Sequence, residues 1–148
     1  MRFLNARERK RLIELLREQY GFDKRPDYVF LLSEKNRIYI INSEIRRLDF
    51  DRLNVNTIGL YFGEVHDNEI RLSIEGSQIV GPHADRNVIE VNAKDAREWM
   101  RGEDIHYDYP SKKFVIIRCG NDYMGCGRAK GNRILNHVPK TRRIRSID

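Results

Sequence analysis

Residues 123–143, YMGCGRAKGNRILNHVPKTRR, hold the reading that decides the fold of this chain. Gly125, Gly127 and Gly131 punctuate a run of cations. Tyr123–Ala129 alternates as a short strand, Lys130-Gly131-Asn132 turns, and Arg133–His137 returns as a second strand. Glycine lets a backbone come close to a phosphate, and Arg and Lys bring charge and donors. Between Arg118 and Arg145 the basic residues are Arg118, Arg128, Lys130, Arg133, Lys140, Arg142, Arg143 and Arg145, against the single acid Asp122. Elsewhere the charges alternate in sign, as on a solvated face. The net charge of +6 is therefore concentrated in this segment, which reads either as a nucleic-acid surface or as a glycine-bulged strand with a solvated basic tail.

Working upstream, Phe114–Cys119 is a strong strand closed by a Gly120-Asn121-Asp122 turn, and Val88–Val91 is a shorter one. Between them Asn92 caps a helix from about Ala93 to Arg101, with Gly102 as its terminator. Gly76, Gly81 and Pro82 interrupt the chain before that, so Pro82–Asn87 reads as a linker or a domain seam. The N-terminal half opens with an amphipathic helix over Asn5–Tyr20, where Asn5 and Glu8 form a capping box and Gly21 ends it. Tyr28–Leu32 and Arg37–Ile41 form a hairpin, and Ser43–Arg47 a short helix. Val55–Val65 and Glu69–Ile74 then pair as strands across Asp67-Asn68. The expectation is an α+β chain: a small N-terminal antiparallel sheet with helices over residues 1–82, then a second α+β unit over 83–148.

Composition narrows the function classes. At 148 residues the chain fits one domain or two small ones. No apolar run approaches the ~18 residues needed to span a bilayer, and the first residues lack a signal-peptide core. Cys119 and Cys126 make no disulfide framework, so the expectation is a cytoplasmic protein with buried structural thiols. His66, His83, His106 and His137 are scattered at intervals that fit no zinc motif, and no cofactor is expected. The segment Glu103–Asp108 gathers acids around His106. It reads as an acidic loop before an acid/base site.

A resemblance extends this reading. Val88–Val91, the helix ending Trp99-Met100-Arg101-Gly102, and the Tyr123–Arg128 strand together resemble a PUA domain. Arg133, Asn136, Pro139, Lys140 and Arg143 are similar to the tail signature of the PUA-like domain that follows RsmF-type rRNA cytosine methyltransferases. The chain departs from that signature at Asn132, Leu135 and Thr141. The N-terminal half, with its Gly59–Val65 strand leading into Arg71–Ile74, resembles the pre-PUA domain of small ribosome-biogenesis proteins. The resemblance implies a PUA-type β pseudo-barrel that binds structured RNA (rRNA or tRNA), on the surface between the helix-to-strand glycine loop and the final strand. It also implies a role in ribosome assembly or RNA modification, beside a separate methyltransferase or ribosome-assembly protein, with no membrane.

Carried onto this sequence, the expected RNA-binding residues are Arg101, Gly102, Gly125, Arg128, Lys130, Arg133, Asn136, Lys140, Arg142 and Arg143. Arg and Lys would meet phosphates, and Gly102 and Gly125 would let backbone approach them. No catalytic residue is expected, because the resemblance supplies neither a doubly wound nucleotide domain nor an activated cysteine. An adaptor that docks a protein through its N-terminal half, with an incidental basic tail, is the alternative.

Overall fold

The computed structural model describes residues 1–24, 27–42 and 59–144. The first helix, α1 (Ala6–Tyr20), forms as its ends dictate. The Asn5 side chain accepts from the Glu8 N–H, the Glu8 carboxylate reaches back to the Asn5 N–H, and Gly21 closes the last turn in the left-handed region. Its apolar stripe, Leu12, Leu15, Leu16 and Tyr20, is buried. That stripe packs on a five-stranded antiparallel sheet ordered β1 (Arg2–Phe3), β2 (Tyr28–Leu32), β3 (Arg37–Asn42), β4 (Leu60–His66) and β5 (Glu69–Leu72). The expected hairpins across residues 33–36 and 67–68 are both present. The expected Ser43–Arg47 helix and the start of the Val55–Val65 strand lie outside the described residues.

One expectation fails here. Ile74 does not end a strand. It begins a helix, α2 (Ile74–Val80), whose N-cap Ser73 accepts from the Gly76 N–H. Gly76 reads as a breaker in sequence, yet a side chain there would collide with the Phe62 carbonyl, so close packing on β4 selects glycine. The linker expected over Pro82–Asn87 begins as one turn of 3-10 helix, Gly81–His83.

The second sheet is mixed and curled, in the order β6 (Val88–Glu90), β8 (Phe114–Cys119), β9 (Asp122–Lys130), β10 (Arg133–Asn136) and β7 (Ile105–His106). Only β6–β8 is parallel. Helix α3 (Ala93–Met100), capped by Asn92, lays Trp99 into the curl, where it is fully buried and donates its indole N–H to the Met124 carbonyl at 2.8 Å. Ile89, Val115, Ile117, Ala129 and Ile134 surround it. The fold is thus α+β, an antiparallel sheet with helices followed by a PUA-type half-barrel. The two-residue β7, inside the stretch read as an acidic loop, and β1 carry too few residues for a periodic signal.

The apolar core does not stop at the seam. Ile116 and Cys126 of the half-barrel join the cluster built from α1 and the first sheet. Gln19 adds polar stitching, exchanging hydrogen bonds with the Ile70 backbone at 2.7 and 3.0 Å. The Tyr20 hydroxyl donates to the same Ile70 carbonyl at 2.7 Å.

Candidate RNA interface

The expected site residues divide according to what their side chains touch. The Arg128 guanidinium lies 3.9 Å from the centre of the Phe114 ring, 3.0 Å from the Glu69 carboxylate, and donates to the Lys112 carbonyl at 2.8 Å. Arg142 pairs with Glu75 at 2.5 Å and Arg133 with Asp104 at 3.0 Å. Arg118 pairs with Glu90. The Gly120 N–H and then Arg118 hold that carboxyl below its usual range. Much of the positive charge in the segment is therefore matched by acids brought in from elsewhere in the chain.

Asn136 is a structural pin. Its amide donates to the Trp99 and Glu103 carbonyls at 2.8 Å each, and its side-chain oxygen accepts from the Val138 N–H. Asp104 accepts from the Asn136 N–H at 2.7 Å. Asp104 thus holds β10 and Arg133, and among the described residues no ion pair joins an acid to the His106 imidazole.

The two glycines expected to meet RNA both face protein. Gly102 has φ +97°, and a side chain there would fall 2.3 Å from Nε of Arg143, whose stem fills the space while Nε donates to the Val138 carbonyl. Gly125 is buried at φ +91° and opens toward Ile74 of α2. Close approach is used at Gly102, by Arg143, while at Gly125 the positive φ is what favours glycine.

Arg101, Lys130 and Lys140 remain. All three are exposed, and none has a side-chain hydrogen bond or ion pair among the described residues. They stand on three different elements. Lys130 sits opposite Arg133 at the hairpin turn of β9 and β10. Arg101 caps α3 near the other end of β10, where Asn136 holds the Glu103 carbonyl. Lys140 begins the 3-10 turn Lys140–Arg142. Sequence reasoning missed Lys112 and Lys113. These exposed neighbours precede β8, and the Ala129 N–H bonds to the Lys113 carbonyl at 3.0 Å, which brings them beside the Lys130 turn. The signal that could have found them is the adjacent lysine pair leading into a strand already paired with Tyr123–Ala129.

A small cleft of about 60 Å³ lies between the two sheets, lined by Tyr61, Arg71, Ser73, Gly125, His137 and Arg142 among others. Arg71 approaches Nδ1 of His137 at 3.1 Å, and desolvation, then Arg71 and Arg128, push that imidazole below its ordinary value. The Cys126 thiol is buried against the Tyr20 hydroxyl at 3.5 Å, and burial pushes it up, away from the thiolate a nucleophile needs. Cys119 is half-buried. Among the described residues no group of His, Cys, Asp or Glu could hold a metal ion, and no helix is long and apolar enough to cross a membrane.

A curled mixed sheet wrapped on the Ala96 and Trp99 face of one helix, with cations along its outer strands, defines the class: a PUA-type half-barrel. Residues 86–144 match the family model for the PUA domain of the methyltransferase RsmF, and this part of the chain is similar to that domain. Among curated relatives, the small-subunit rRNA methyltransferase F of Vibrio cholerae is 29% identical over 89 residues, covering 60% of this chain and 19% of the relative. That of Aliivibrio fischeri is 26% identical over 115 residues, covering 74% and 24%. That of Erwinia tasmaniensis is 28% identical over 112 residues, covering 74% and 23%. The chain therefore spans about a quarter or less of the relatives it matches. This supports an RNA-binding domain associated with rRNA methylation.

Proposed function

We propose that this protein binds structured RNA, rRNA or tRNA, through its PUA-like domain without catalysing a reaction itself. In this reading it serves RNA modification or ribosome assembly in the cytoplasm, beside a separate methyltransferase. The observation that carries the reading is the match of residues 86–144 to a domain whose curated relatives are rRNA methyltransferases. The pre-PUA-like role of residues 1–82 belongs to the same proposal. Contacts fall to cations without an internal partner, Arg101, Lys130 and Lys140 among the expected ones. Arg128 and Arg142 act chiefly by holding the fold.

Filter binding of the purified chain to an rRNA fragment and to tRNA across a salt series tests this. The logarithm of the affinity should fall linearly with the logarithm of salt, by about 0.7–0.9 per phosphate contact. Absence of RNA retention at low salt would end the proposal.

The adaptor reading has one observation of its own, an apolar groove lined by Leu4, Leu12, Leu15, Leu32, Ile38 and Val65 between α1 and the first sheet. If protein docking there is the main function, Leu4→Glu abolishes the protein's cellular association while RNA retention is absent or unchanged.

A further inference from the structure

The outer face of the half-barrel carries its cations in a line across the strands. His106 stands opposite Arg133, and Arg133 opposite Lys130. Phe114 stands opposite Arg128, and the Ala129 N–H reaches the Lys113 carbonyl. Continuing that antiparallel register by two residues sets Lys112 opposite Lys130. Directly opposed residues project from the same side of a sheet, so His106, Arg133, Lys130 and Lys112 form one row, one residue per strand. Their neighbours Ile105, Ile134 and Ala129 point into the Trp99 core. All four members of the row are exposed.

We propose that this row is the surface along which the protein tracks the phosphate backbone of an RNA duplex; the proposal rests on the RNA-binding reading above and names the face that performs it. Adjacent strands lie ~4.8 Å apart, so the row is ~14 Å long. The axial rise per nucleotide of a duplex strand is only ~3.4 Å (the DNA figure), and the row spans several such steps. The acids next to it are occupied, Asp104 by Arg133 and the Asn136 N–H, and Glu69 by Arg128. Lys112 and Lys130 therefore keep their charge uncompensated among the described residues. The row has no Phe, Tyr or Trp ring, so beyond the His106 imidazole it offers no platform for stacking single-stranded bases. It offers charge on a flat face, which suits a duplex recognised through phosphates and shape.

The test uses the full chain and a 16-base-pair RNA duplex, with three proteins compared across a salt series. These are the wild type, Lys112→Ala/Lys130→Ala, and Lys94→Ala/Arg97→Ala, exposed on α3, as the matched loss of charge elsewhere on the domain. The expected result is a salt slope reduced by about 1.5–2 in the first variant, weakening alike on duplexes of different sequence, and little changed in the second. Both pairs are exposed, and equal urea midpoints would show that folding is intact. If the wild type binds and the first variant matches it while the second loses affinity, the row is overturned and the RNA reading survives. If the wild type binds the single strand and not the duplex, the row is likewise overturned. If it binds neither, both proposals fall.

Discussion

The Arg128 guanidinium, on the half-barrel, meets the Glu69 carboxylate, on the edge strand of the N-terminal sheet, at 3.0 Å, with the cation laid over the Phe114 ring. Each side chain is roughly a quarter to a third exposed, at 24% for Glu69 and 32% for Arg128. The pair thus lies between a freely solvated ion pair and a buried one, and it carries a cation–π contact in addition.

Arg128→Ala should destabilise the chain by about 1–2 kcal/mol, because it removes the ring contact and leaves Glu69 without its cation. Arg133→Ala, which loosens a more exposed pair, should cost under about 1 kcal/mol. Urea unfolding followed by the fluorescence of Trp99, the chain's single tryptophan, measures both. Equal losses for the two variants would deny Arg128 its clamping role.

Gly102 and Arg143 form a second coupled pair. Gly102→Ala meets two penalties, a left-handed backbone conformation and the Arg143 stem in the volume of the new methyl. The expected loss is about 1–3 kcal/mol. Arg143→Ala clears the steric part and leaves the conformational part. A double-mutant cycle should therefore show the two losses summing to more than the double variant's loss, by 0.5 kcal/mol or more. Additive losses would mean that the two residues do not share that space.

What could be read in the sequence and what could not follow from the range of the interactions involved. The α1 cap, the α3 cap and the hairpin turns are decided within a few residues, and they stand where the sequence puts them. Helix α2 escaped because Gly76 weakens any helical pattern, and the Phe62 carbonyl that makes glycine necessary comes from β4. The site suffered in the same way. Its basic residues are plain in the chain, but the acids that occupy Arg128 and Arg142 lie 59 and 67 positions away. Charge counting saw the cations and could not see Glu69 or Glu75 arriving across the fold. Lys112 lies outside the basic segment, and strand register is what sets it beside Lys130.

The two cysteines should differ sharply toward alkylating reagents. Cys119 is half-buried at the end of β8, whereas Cys126 is buried in the core, its thiol pushed up by burial. Under native conditions Cys119 should label first. Cys126 should label only as fast as the protein opens, with denaturant abolishing the difference. Mass spectrometry of time points reads the order. Rapid native labelling of Cys126 would show that the core shared by the two sheets opens easily.

The acid behaviour of the N-terminus turns on Glu8. The Arg2 guanidinium, hydrogen-bonded to it at 2.6 Å, and then the Asn5 N–H hold its carboxyl down at about 2, from an ordinary 4.5. A carboxyl depressed by folding favours the folded state above its unfolded value, and that contribution fades as pH falls from about 4.5 through about 2. Arg2 is exposed and Glu8 partly so, so salt should weaken the effect. A carbon-detected NMR titration should place Glu8 near 2 in the wild type and shift it toward 4.5 in Arg2→Ala. The Asn5→Ala variant should leave the depression in place, since both Arg2 and the backbone N–H of residue 5 remain, while removing the side-chain cap frays the first turn of α1. If Arg2→Ala leaves the titration unmoved, the cap alone sets the carboxyl, and β1 is not tied to α1 through this pair.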